Sequence, residues 1–261
     1  NGIIGYEPEE PSSGGSSGGS TNGSSGSSSG SGSTDTPTTA AGGGTTTVVQ
    51  PAPLPTLTDG VINVSGNILN DAGQITANGG IDLTSSNGLT NNATLNLNKL
   101  KVSGNALDNT NGTITTTQAD INTTNITNTS GKFGSTGNIN LTAQNLTNSK
   151  GQITAGGAIT SNIAQTVLND DGTIGSTGEQ VLNAATLNNA GGTIASTKAG
   201  LTVKTTGAIN NAAGAIQSAN STKITSAAFD NTDGTVDGVT VNLNTQNNTL
   251  TNTRGSITAD D

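Results

Sequence analysis

Enzyme chemistry needs side chains that can move protons, attack carbon or hold a metal, and this 261-residue chain has few of them. It contains neither histidine nor cysteine, which removes the commonest general base and the thiol nucleophile. Carboxylates remain. Asp170-Asp171 is an acidic pair inside the patterned part of the chain, and some β-helical polysaccharide lyases and hydrolases work with clustered carboxylates and a Lys or Arg. The pair falls in a turn after Leu168, where Asp readily stands in for Asn. With one Tyr, two Phe and no Trp, the chain has no aromatic platform for a sugar ring. The chain is therefore expected not to be an enzyme, and no catalytic, cofactor-binding or metal-binding residue is assigned.

Three weaker signals resolve the same way. Asp230-Asn-Thr-Asp233-Gly234 with Asp237-Gly238 is rich in oxygen ligands, but it lacks the EF-hand spacing and the glycine-rich nonapeptide of calcium β-rolls. Turn chemistry accounts for it. Thr113-Ile-Thr115 and the run to Thr117 suggest a flat threonine array, yet Thr-x-Thr does not recur at one place in the chain. Asn-x-Ser/Thr triplets occur at several places, including Asn63, Asn122, Asn125, Asn140 and Asn145, as chance provides in a chain so rich in Asn and Thr.

The elements that would have to position any such group follow one pattern. An apolar residue is followed by Asn or Asp two positions on, then by Gly, then by Ile or a relative. Copies start at Leu69, Leu89, Leu107, Ile126, Leu146, Leu168, Leu187, Ile209, Phe229 and Leu250, 18 to 22 residues apart. A fixed period near 20 marks a solenoid, whose units bury apolar residues only by stacking on their neighbours. Apolar-polar alternation, as in Ile139-Asn-Leu141 and Val239-Thr-Val241-Asn-Leu243, indicates short strands with one buried face. No stretch combines a 3.6-residue apolar rhythm with caps, and Thr, Asn, Gly and Ser are poor helix formers. The expected fold is all-β: a parallel β-helix of about ten coils, each with two or three strands of three to five residues. At ~4.8 Å per coil, ten coils give a length on the order of 50 Å.

Within the repeat, Asp71, Asn91, Asn109, Asn128, Asn148, Asp170, Asn189, Asn211, Asn231 and Asn252 share one place. Stacked Asn amides can bond along a ladder. Gly73, Gly112, Gly131, Gly151, Gly172, Gly192, Gly214, Gly234 and Gly255 follow and are expected to supply positive φ at the corner. Ala93 stands in the Gly place of the second copy, which predicts a distorted corner. The inward row is expected to hold Ile75, Leu95, Ile114, Phe133, Ile153, Ile174, Ile194, Ile216, Val236 and Ile257.

Composition agrees with a thin core. The hydrophobic fraction is 29%, below the usual globular range. A net charge of −9 argues against a nucleic-acid partner, since phosphate binding needs basic clusters. All eight basic residues lie singly between Lys99 and Arg254, as expected of solvated outer faces. No apolar stretch approaches the ~18 residues of a membrane-spanning helix, so no membrane insertion is expected. No signal peptide is visible in a sequence that begins at Asn1, and the sequence is expected to be an internal piece of something longer. Residues 1–56 are a different material, almost wholly Ser, Gly and Thr between Pro11 and Gly44, and are expected to form a flexible low-complexity linker. Residues 57–261 carry the repeats.

The unit Leu-x-Asn-x-x-Gly-x-Ile-x-Ala/Ser, followed by Ile/Leu-x-Leu, resembles the repeats of filamentous haemagglutinins. Residues 137–155, from Gly137-Asn-Ile-Asn-Leu141 to Gly151-Gln-Ile-Thr-Ala155, are especially close. The likeness covers residues 60–261. It implies a right-handed parallel β-helix belonging to a large, secreted or surface-exposed bacterial protein, exported by two-partner secretion through an outer-membrane β-barrel transporter. The family includes adhesins and the stick-like effectors of contact-dependent growth inhibition. Its amino-terminal secretion domain and any carboxy-terminal toxin module are absent from this sequence. The expected role is a structural shaft that holds an adhesive or toxin-delivery module away from the cell. The alternative is direct adhesion, with the repeats contacting a receptor or glycan of a host cell or biofilm.

Overall fold

The computed structural model describes the strand Ile3–Ile4 by its backbone, and residues 60–76 and 80–260 in full. The remainder of the expected linker over residues 1–56 lies outside the described residues. The chain divides into two units, Asn1–Tyr6 with Leu57–Asp261 as one and Glu7–Thr56 as the other. The first of these is a β-solenoid with no helix among its described residues. Its strands stack in parallel into an 11-stranded and a 16-stranded sheet.

One coil shows how the sequence builds the rest. Ile139–Thr147 alternates buried and exposed residues, with Ile139, Leu141 and Ala143 inward and Asn140 and Thr142 outward. β-branched and small polar residues suit such a half-buried pleat. The chain then turns at Asn148, runs through the corner strand Gln152–Ala155 and turns again into the next coil at Ile159–Leu168. Ile139 pairs with Ile159 and Gln152 with Thr173, one coil ahead in each sheet. Each internal coil is therefore paired through its backbone with the coil on either side, which leaves sheet edges to the first and last strands of the stack.

Strands are longer than the repeat suggests in four coils. Lys99–Asp108, Gln118–Thr127, Ile139–Thr147 and Ile159–Leu168 run continuously round the bend between two faces. Elsewhere the same path breaks in two, as at Gln180–Ala184 and Thr186–Asn188. Differences in coil length are absorbed locally: between Ala143 and Asn145 the register shifts, and the following coil carries an extra residue there.

The inward row of the corner strands is as expected. Leu95, Ile114, Phe133, Ile153, Ile174, Ile194, Ile216, Val236 and Ile257 pair in unbroken succession, with Ile75 before them. All are buried except Ile257 in the last coil, which is partly exposed. Both phenylalanines are in the core, Phe229 in a second column between Ile209 and Leu250. The core is not purely apolar: the Ser161 and Ser226 hydroxyls are buried with no hydrogen-bond partner.

Candidate functional site

The sharpest constellation is the asparagine column, and the structure corrects two of its members. Asn70 and Asn169, not Asp71 and Asp170, occupy it. Ile68 and Val167, not Leu69 and Leu168, are the apolar residues ahead of them: Val167 is fully buried, whereas Leu69 is 71% exposed. The column is thus Asn70, Asn91, Asn109, Asn128, Asn148, Asn169, Asn189, Asn211, Asn231 and Asn252. From Asn70 to Asn231 each Nδ2 donates to the Oδ1 of the next Asn at 2.7 Å. From Asn91 to Asn231 every member is completely buried or nearly so.

The physical reason for the correction is that each rung must donate and accept. A carboxylate accepts only, so an ionised Asp would break the ladder and lie buried without a counter-charge. The carboxamide has further work. Asn148 Nδ2 also donates to the Gly151 carbonyl at 3.2 Å and, one coil on, to the Thr173 carbonyl at 3.0 Å. One side chain thereby closes its own corner and ties it to the next. The spacing could have revealed both members: Asn70 and Asn169 lie three residues before Gly73 and Gly172, as Asn148 lies before Gly151.

The glycine column is also reinterpreted. Positive φ belongs to the residue before it: Ala72, Asn111, Ser130, Lys150, Asp171, Gly191, Ala213, Asp233 and Arg254 have φ of 52 to 64°. The conserved spacing of Gly has a steric cause instead. A Cβ at Gly151 would overlap the Asn128 carbonyl oxygen and press on Asn148 Oδ1 at 2.6 Å. Glycine is needed where the corner backbone meets the ladder. The second copy is distorted as expected. Its corner is one residue shorter, so Asn91 Nδ2 reaches the Ala93 carbonyl two residues on, and no residue there has positive φ.

The other candidates scatter. Asp170 and Asp171 sit in the turn beyond the ladder, with Asp171 at φ 52°. Asp230 accepts from the Thr232 N–H and hydroxyl, which hold its carboxyl below the usual range. Asp233 forms a two-pronged pair with Arg254 in the next coil, which lowers its pKa likewise. Asn231 between them belongs to the ladder. Among the described residues no three His, Cys, Asp or Glu side chains gather in metal-binding range. Thr113 and Thr115 stack beside Lys132 and Gly134, so no flat threonine face forms. The basic residues from Lys99 to Arg254 are all exposed, as expected.

One surface feature was not legible in the repeat. On the outer face of the long strands a shallow depression is lined by Asp82, Thr84, Lys99, Lys101, Gln118 and Asp120. Lys99 pairs with Asp82 at 3.7 Å, and Lys101 neighbours Asp120 in register. The charges alternate and stay solvated, an arrangement worth little in stability. No described helix is long and apolar enough to cross a membrane. Comparison of the chain with protein-family models, with curated proteins and with solved structures finds no match.

Proposed function

We propose that this chain is a shaft segment of a large secreted or surface-exposed bacterial protein of the filamentous haemagglutinin kind that its repeats resemble. It holds an adhesive or toxin-delivery module away from the producing cell and leaves that cell through an outer-membrane two-partner transporter. It has no catalytic role of its own. The observation that supports this reading is the interchangeability of the coils. From Asn70 to Asn252 each corner is 18 to 22 residues from the next, the same ladder rung recurs, and among the described residues from Gly80 to Asp260 no coil carries a lateral loop large enough to build a pocket. A chain without cysteine also suits passage through a narrow pore unfolded, since no crosslinked loop can form.

Direct adhesion is the competing reading, and the depression beside Lys99 and Lys101 is where it would start. The two separate in one experiment. The purified chain, applied to cells and to an array of immobilised glycans, shows no saturable binding if it is a shaft. Saturable binding that is lost on Lys101→Glu would overturn the shaft reading in favour of an adhesive face.

A further inference from the structure

An ordinary corner hands its backbone hydrogen bonds onward. The positive-φ residue donates its N–H to the carbonyl just after the ladder asparagine of the next coil, as Asn111 does to Thr129 and Lys150 to Asp170. The bonds of this kind from Asn111 to Asp233 measure 2.8 to 3.0 Å. The second corner, Asn91-Asn92-Ala93, is a residue short and holds no positive-φ residue. Asn92 bonds in the other direction. Its N–H donates back to the Asn70 carbonyl at 3.3 Å and its Nδ2 back to Asp71 Oδ1 at 2.7 Å, while its Oδ1 accepts from the Ala72 N–H at 3.1 Å.

Asn92 thus fastens the first corner to the second, and its bonds offset the long reach of the Thr94 N–H to the Gly73 carbonyl, 3.5 Å where the equivalent bonds of later coils are 2.7 to 2.9 Å. Between the second corner and the third, the middle rung is lost. The corner bonds that remain there are Asn91 Nδ2 to Asn109 Oδ1 at 2.7 Å, Asn91 Nδ2 to the Thr113 carbonyl at 3.3 Å, and the Thr113 N–H to the Ala93 carbonyl at 2.7 Å. One net hydrogen bond shifts an opening equilibrium roughly fivefold.

We propose that residues 60–76 and 80–93 open as one, leaving the solenoid at the junction between its second and third corners. The inference concerns local stability and does not depend on the shaft reading. The two coils unfold when they leave, because a pair is fewer than a solenoid needs to stand alone. Their departure uncovers Asn109 Oδ1, the acceptor of the Asn91 rung. It also frees one edge of Lys99–Asp108 and of Thr113–Thr116, which pair there with the departing strands. Such an unpaired edge is a template for another strand.

Hydrogen exchange of the full chain, read by mass spectrometry, finds the boundary. Residues 60–76 and 80–93 are expected to exchange within about twofold of one another, and roughly fivefold or more faster than residues 99–116. A smooth gradient, with 60–76 fastest and 80–93 as slow as the third coil, would overturn the proposal, as would uniform exchange. Two variants test the cause. Asn92→Ala removes the backward side-chain bonds, so residues 60–76 should then exchange roughly fivefold faster than 80–93. Insertion of one Asn between Asn92 and Ala93, with Ala93→Gly, gives the corner the length and the glycine of residues 109–112. Residues 80–93 should then exchange as slowly as residues 99–116. Two coils still exchanging together in the first variant, or residues 80–93 still fast in the second, would refute the junction.

Discussion

Asn148 is held between Asn128, which donates to its Oδ1, and Asn169, to which its Nδ2 donates. A typical buried hydrogen bond contributes ~1 kcal/mol net, but an orphaned buried partner costs ~1–3 kcal/mol more. Asn148→Asp turns the donor into an acceptor facing Asn169 Oδ1 and the Gly151 and Thr173 carbonyls. The ionised form is expected to cost on the order of 4 kcal/mol. Burial and those oxygens raise the aspartate pKa in the folded state. A group whose folded pKa is raised binds its proton better when folded, so the variant is most stable below about pH 4 and loses stability as pH rises toward 7. Denaturant midpoints at pH 4 and pH 7 check this, and a variant equally stable at both would place position 148 outside the ladder. The parent should behave oppositely. Asp230 and Asp233 have lowered pKa values, so what they contribute is present at neutral pH and lost only as pH falls below about 4.

The corner and the strand are the two elements of every coil, and each can be tested by a neighbouring pair of substitutions. At the corner, Gly151→Ala forces a Cβ into the Asn128 carbonyl and is expected to lower stability by about 3 kcal/mol or more. Lys150→Gly, one residue earlier at φ 57°, relieves a left-handed non-glycine residue and should be neutral or stabilising by up to ~1 kcal/mol. The opposite order in denaturation experiments would restore a conformational reason for the glycine column. In the strand, Ile153 is fully buried and Thr154 is partly exposed. Ile153→Asn should cost about 3–5 kcal/mol and Thr154→Asn less than ~0.5 kcal/mol; equal losses in thermal midpoint would remove the inward column. The strand columns were legible in the sequence because one buried face imposes a two-residue period, and a slip of one residue would expose every Ile. The corner is less legible. Leu69 and Leu168 follow other apolar residues, Ile68 and Val167, and apolarity alone does not say which of two adjacent residues points inward. The spacing to Gly73 and Gly172 does. The role of the glycines was invisible for a different reason, since the atom that crowds Gly151 most closely, the Asn128 carbonyl oxygen, belongs to the preceding coil. The depression near Lys99 and Lys101 was hidden likewise, because it joins residues of three coils.

For the solenoid as a whole, stability is a sum of coil and nearest-neighbour terms, so one complete coil should be dispensable. Removal of residues 148–168 joins Thr147 to Asn169 and deletes one rung-to-rung interval of 21 residues. The shortened chain is expected to keep its β-sheet circular dichroism, with its thermal midpoint lowered by only a few degrees. Collapse of the fold would mean that the coils are not interchangeable and would count against a shaft. The continuous ladder is the claim on which fold and proposed function both rest, and hydrogen exchange reads it most directly. In ¹⁵N-labelled full-length chain, the side-chain amides of Asn109, Asn128, Asn148, Asn169, Asn189, Asn211 and Asn231 should exchange as slowly as the backbone amides of Ile153 and Ile174, since both open only when coils separate. Exchange of those side-chain amides at the rate of free asparagine, with the backbone still protected, would contradict the ladder and the stacked-coil account built on it.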